Sequence, residues 1–101
     1  MKDKNDTYIT INHIDDFCGY THLRVGDILS LKKEPDNEYD DEAIAVYDKN
    51  QTKIGYIANS VSSVARGTYS SGRVYDRVKN ESKCIVCFIT EECAIGSVIY
   101  G

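Results

Sequence analysis

GDILSLKKEPDNEYDDEAIAV, residues 26–46, holds two apolar alternations separated by a proline and a run of acid. Side chains on an extended chain alternate between faces. Across 27–33 (DILSLKK) this puts Leu29 and Leu31 on one face and Ile28 on the other. Across 43–48 (AIAVYD) it alternates Ile44 and Val46 with small Ala43 and Ala45. Pro35, the only proline of the chain, fixes φ and lets the first segment end. Asp36 and Asn37 suit the turn that follows, since their side chains bond backbone amides. The stretch reads as strand, turn, strand, and its period of two sets the fold class.

The same period recurs on both sides. TYITINHI (7–14) aligns Ile9 and Ile11, and KIGYIA (53–58) follows the turn DKNQT. KCIVCFIT (83–90) and AIGSVIY (94–100) form a last pair around Glu91-Glu92. Six strands joined mostly by short links favour an antiparallel sheet closed into a small barrel, which also removes exposed edges. Segment 59–78 (NSVSSVARGTYSSGRVYDRV) breaks the pattern. Asn59 and Ser60 are helix-start residues, Val61, Val64 and Ala65 recur at helical spacing, and Val74, Tyr75 and Val78 resume a helical stripe. The reading is two short helices broken near Gly67 to Gly72 that plug one barrel mouth. The class is therefore mainly β, or α+β by count.

The 101 residues suit one domain over 7–101, preceded by a polar, frayed end at 1–6. No apolar run approaches a membrane span, and MKDKNDTY lacks the apolar stretch of a signal peptide. The expectation is a soluble, cytoplasmic protein. Net charge is −4, unevenly spread: −6 over 1–42, +4 over 43–83 and −2 over 84–101. An acidic whole argues against loose electrostatic binding to nucleic acid. The middle segment still offers a local basic face from Lys49, Lys53, Arg66, Arg73, Arg77, Lys79 and Lys83. Cys84 and Cys87 stand in a C-x-x-C spacing, but CIVCFI reads as a strand with Ile and Val between them. Residues three apart on a strand face opposite ways, so buried free thiols are expected rather than zinc or disulfides.

Five of the seven residues from Asp36 to Glu42 are acidic. As a calcium loop the run has acids at 36, 38 and 40 but Asp41 at the sixth position and Tyr47 at the twelfth, where Gly and Glu are needed. As a catalytic carboxylate pair it lacks a recognisable partner, and His13 and His22 stand in no nucleophile motif. No P-loop and no G-x-G-x-x-G is present. No enzyme, cofactor or metal is expected. Two readings remain for Tyr39 and Asp40. In one, the ring caps the barrel end and the carboxylate holds the turn. In the other, the ring stacks on a base and the acceptor-only carboxylate meets a sugar hydroxyl while repelling phosphate.

The run G-D-I-L-S-L-K-K-E-P-D-N-E-Y-D-D-E-A-I-A-V, followed by K-I-G-Y-I-A-N, resembles the HIRAN domain, whose pattern is E-P-x-N-x-Y-D-x-x-A-I-x-V and then a G-[YH] pair. The match is continuous from about Gly26 to Asn59 and looser beyond, and the chain resembles the stand-alone bacterial type. The resemblance implies a six-stranded OB-like barrel with two helices that binds nucleic acid, gripping the 3′ end of single-stranded DNA. By position it gives Asp40 to the terminal 3′ hydroxyl and Tyr39 to a terminal base. Tyr56 stands where a phosphate-contacting histidine is frequent, and Asn59 where the family pattern has a lysine.

The larger departure is in HIDDFCG (13–19). There Asp15 and Asp16 replace an Arg-Tyr pair, while Phe17 and Gly19 keep an aromatic and a glycine. Swapping a phosphate-facing cation for a carboxylate reverses the sign of that contact. Arg66 and Arg73 are the remaining phosphate candidates. The leading expectation is a nucleic-acid end binder in a DNA repair or processing assembly, with a helicase or nuclease as partner. The alternative is a protein-interaction module that kept the barrel and lost DNA binding.

Overall fold

The computed structural model describes residues 7–14, 23–60, 63–78, 82–91 and 93–99. Each alternating segment forms a strand within one or two residues of its expected limits. These are β1 (Tyr8–Asn12), β2 (Ile28–Glu34), β3 (Ala43–Tyr47), β4 (Lys53–Ile57), β5 (Ser82–Ile89) and β6 (Ala94–Ile99). They close into an antiparallel barrel in the order β1-β4-β3-β2-β5-β6. β1 closes it, pairing Ile11 with Ile57 of β4 and with Ala94 of β6.

The inward set is the one that the alternation specifies. Ile9, Ile11, Leu29, Leu31, Ile44, Val46, Ile54 and Val86 are buried in one core cluster, whereas Ile28 is exposed. Gly55 marks the closest approach of β1 and β4: a Cβ there would lie 2.5 Å from the backbone oxygen of Asn12. No helix among the described residues is long and apolar enough to cross a membrane.

Two helices were expected between 59 and 78, and the described residues contain one, α1 (Ser71–Val74). The earlier stretch is turns instead. Val64 N donates to Ser60 O, but Ala65 N leaves the helical ladder and donates to the buried Thr10 Oγ1 at 3.0 Å. Gly67, at φ +89°, then turns the chain into Tyr69, which bridges Ile9 of β1. Tertiary bonding to β1 thus overrides the local helical spacing. α1 is capped by Ser70, whose Oγ accepts from Arg73 N, and Val74 and Val78 are buried in the same core cluster as Ile44.

The cysteines divide. Cys84 is buried, and burial pushes its thiol up to about 12, with Cys87 adding to the effect. Cys87 and Cys93 are only half-buried, contrary to the expectation of core thiols. Cys87 follows the inward Val86, so alternation turns it to the other face, and the β5–β6 pairing shifts there, between Val86 and Phe88. Cys93 sits in the β5–β6 turn, where its N–H donates to Thr90 Oγ1. Cys18 lies outside the described residues.

Candidate nucleic-acid interface

The turn after β2 is built by Asn37. Its Oδ1 accepts from the backbone N–H of Tyr39 at 2.9 Å and of Asp40 at 3.1 Å, while its Nδ2 donates to Glu34 at 3.0 Å. An asparagine holding the two following amides leaves Tyr39 projecting and Asp40 fixed. Tyr39 is 90% exposed, the most exposed large apolar side chain described. The Asp40 carboxylate accepts from Glu42 N–H at 2.9 Å and from Asn59 Nδ2 at 2.7 Å, one bond to each oxygen. An ionised carboxylate offers about four lone-pair sites, so acceptor capacity remains for a ligand hydroxyl.

Asn59 is a bridge. Its Nδ2 donates to Asp40, and its Oδ1 accepts from Gly72 N–H of α1 at 2.7 Å. Asn59 thus ties the acidic turn to α1. Ser71 of α1 adds a second tie by donating from Oγ to the Glu42 carbonyl.

Tyr56, on β4, is held by a separate network. Its phenol donates to Glu34 at 2.9 Å and accepts from Lys53 Nζ at 2.9 Å, and Lys53 pairs with Glu34 at 2.7 Å. Partial burial of Glu34 raises its pKa, but hydrogen bonds from Lys53, Asn37 and Tyr56 and the Lys53 charge outweigh this and leave it below the usual carboxylate range. The hydrogen bond to Glu34, then that to Tyr56, holds the Lys53 ammonium above the usual lysine range despite some desolvation. The meeting of Glu34, the first residue of the motif, with Lys53, named only as part of a basic face, did not stand out in the sequence, because β3 separates their strands. The available signal was the small residues of β3: Ala43 pairs with Glu34 and Ala45 with Tyr56, so longer side chains from β2 and β4 meet over them.

Tyr39, Asp40, Tyr56 and Asn59 line one cavity of about 540 Å³, together with Asn12 and His13 at the end of β1, Asn37 and Glu38 of the turn, and Ser60 and Ser63. His13 adopts φ 63° there. Among the described residues, the charged side chains in this lining are the carboxylates Glu38 and Asp40, with no lysine or arginine. Arg66 and Arg73 do not line it. Both are exposed, and Arg73 lies over the Tyr69 ring, 4.8 Å from its centroid. Phe17, Asp15, Asp16 and Gly19 lie outside the described residues. Four of the seven candidate residues are thus brought together, two are not, and one falls outside.

The family model of the HIRAN domain matches residues 7–96. The chain belongs to the HIRAN domain family. Among solved structures, this HIRAN domain is similar to the HIRAN domain of human HLTF. They share 14% identity and a TM-score of 0.65 over 93% of this chain and 74% of that one. It is also similar to a protein from Lactobacillus plantarum, at 21% identity and a TM-score of 0.59 over 93% of both chains. At these identities the two structures support the HIRAN barrel as a fold. No curated protein matches.

Proposed function

We propose that this domain, a member of a family of nucleic-acid-binding modules, is a non-enzymatic receptor for the 3′ end of single-stranded DNA. The observation that carries the reading is the position of Asp40. Its carboxylate lines a cavity, is fixed by Asn59 and Glu42, and has no lysine or arginine beside it in the lining among the described residues. Such a group accepts from a terminal hydroxyl and repels a terminal phosphate. The projecting ring of Tyr39 supplies a stacking surface for the terminal base, worth ~1–3 kcal/mol. Tyr56 forms the wall rather than a second free ring, since its phenol is tied to Glu34 and Lys53. In a DNA repair or processing assembly, a helicase or nuclease partner would supply the chemistry.

Fluorescence anisotropy at low salt tests this with one oligothymidylate carrying either a 3′ hydroxyl or a 3′ phosphate. The hydroxyl end is expected to bind more tightly, and Asp40→Asn to narrow the difference. Equal affinity for both ends, or no binding at tens of micromolar protein, would favour a protein-interaction module instead.

A further inference from the structure

Arg66 and Arg73 do not line the end-binding cavity, so a strand held there needs its cations elsewhere. The sheet register supplies them on the outside of the barrel. One cross-strand row runs Lys83–Ser30–Tyr47–Lys53 across β5, β2, β3 and β4. The adjacent row runs Lys32–Ala45–Tyr56–Asn12 across β2, β3, β4 and β1. These residues alternate with inward Leu29, Leu31 and Val46, so both rows face out. The second row ends in Tyr56 and Asn12, which line the cavity, so the two surfaces are continuous.

The chemistry of this face is cationic and aromatic. Lys32 Nζ lies 4.7 Å from the centroid of the Tyr47 ring, and Lys53 Nζ lies 6.0 Å from it. Ala45, within the second row, is fully covered, so its longer neighbours close over it. Lys53 is committed to Glu34 and Tyr56. Lys32 and Lys83 are not: their amines reach the neutral Gln51 Oε1 at 3.0 Å and Ser30 Oγ at 3.4 Å. Among the described residues neither is paired with a carboxylate. Lys49 is exposed in the same turn as Gln51. On a chain of net charge −4, this concentrates uncommitted cations on a face that leads into an acidic cavity.

We infer that this outer face, through Lys32, Tyr47 and Lys83, is the track for the phosphate backbone of single-stranded DNA leading away from the cavity. The inference rests on the end-binding reading. From Tyr56 to Lys83 is three strand spacings, about 14 Å. That spans roughly four nucleotides at a stacked spacing of ~3.4 Å, within the site sizes of OB-type binders. Cavity and track divide the labour: carboxylates meet the hydroxyl end, and lysines meet the phosphates upstream of it.

The test uses anisotropy at low salt with a thymidine dinucleotide and hexanucleotide, each with a free 3′ hydroxyl, and the double variant Lys32→Gln/Lys83→Gln. Neither lysine lines the cavity. The hexanucleotide is expected to bind at least about tenfold more tightly than the dinucleotide. The double variant should lose most of that gain, lower the salt slope by about 1.4, and leave dinucleotide affinity unchanged. Matching thermal melts of the double variant and the parent exclude misfolding as the cause. Equal affinity for both lengths, or an unchanged hexanucleotide affinity in the double variant, overturns the track while leaving end binding standing. Sensitivity to the lysines with indifference to a 3′ phosphate keeps the track and overturns the end site. Binding of neither oligonucleotide overturns both. Hexaglutamate binding that depends on the two lysines, without hexanucleotide binding, assigns the face to an acidic protein partner and overturns the inference.

Discussion

Glu34 shows how one side chain sets a site it does not line. It receives Asn37 of the turn, Tyr56 of the cavity wall and Lys53 of the outer face. Its pKa is held below the ordinary value, so its ionised form is the one that stabilises the fold. That stabilisation is complete above the ordinary glutamate range, near 4.3, and is lost as pH falls through the lower folded value. Lys53 stays charged throughout this window, since its own pKa is raised. A partly exposed pair is worth up to ~1 kcal/mol, and a domain of this size shifts by about 4–8 °C per kcal/mol. Glu34→Gln should therefore melt a few degrees below the parent at pH 7, with the gap narrowing as pH falls below the ordinary glutamate range. Thermal melts at pH 7 and through the acid range check this, and a gap that does not narrow on acidification would rule out the charge as its source. Sequence reading found Tyr39, Asp40, Tyr56 and Asn59 because the motif names them. It named Lys53 only in a basic face and Glu34 only as a letter of the motif, and missed their contact because that depends on the small alanines of the strand between them.

At the scale of elements, the wall of the cavity depends on how closely β1 and β4 approach. Gly55 permits it: an added Cβ would meet Asn12 O at 2.5 Å and the side chains of Ile11 and Ile14 at 3.2 and 3.3 Å. The nearest obstacle is backbone, which cannot rotate away as the tip of a side chain can. Gly55→Ala is expected to cost ~1–3 kcal/mol, the usual range for overpacking, and to disturb the neighbouring Tyr56 wall. Urea melts measure the first effect and oligonucleotide affinity the second. A fully stable variant with unchanged binding would show that β1 shifts without cost. The strands were legible because period-two patterning and burial agree along β1, β2 and β3 for Ile9, Ile11, Leu29, Leu31, Ile44 and Val46; the register shifts after Val46 and Val86 break it in β4 and β5. The first half of the segment 59–78 was not legible, because Thr10 of β1 takes an amide that helical spacing assigns to the helix. Such a bond joins residues 55 apart in sequence and leaves no local mark.

For the whole molecule, barrel closure falls to β1, whose Ile11 is fully buried and faces both β4 and β6. Truncating a buried isoleucine to alanine costs ~2–5 kcal/mol, against a total stability of ~5–15 kcal/mol for a domain. Ile11→Ala should therefore consume a large part of the margin, seen as a lower urea midpoint; a midpoint near that of the parent would mean that closure does not rest on β1. The sequence by itself determined the strands, their inward residues, the turn around Pro35 and the family motif. All of these rest on chemistry within a few residues of the chain, where alternation and turn geometry are local properties. Only the tertiary structure decided what meets around the site. It joined Asp40 to α1 through Asn59, fixed Tyr56 through Glu34 and Lys53, and left Arg66 and Arg73 outside the cavity lining. It also aligned Lys32, Tyr47 and Lys83 on one outer face. These relations follow from strand order and register across the closed barrel, which bring together residues that no local pattern connects.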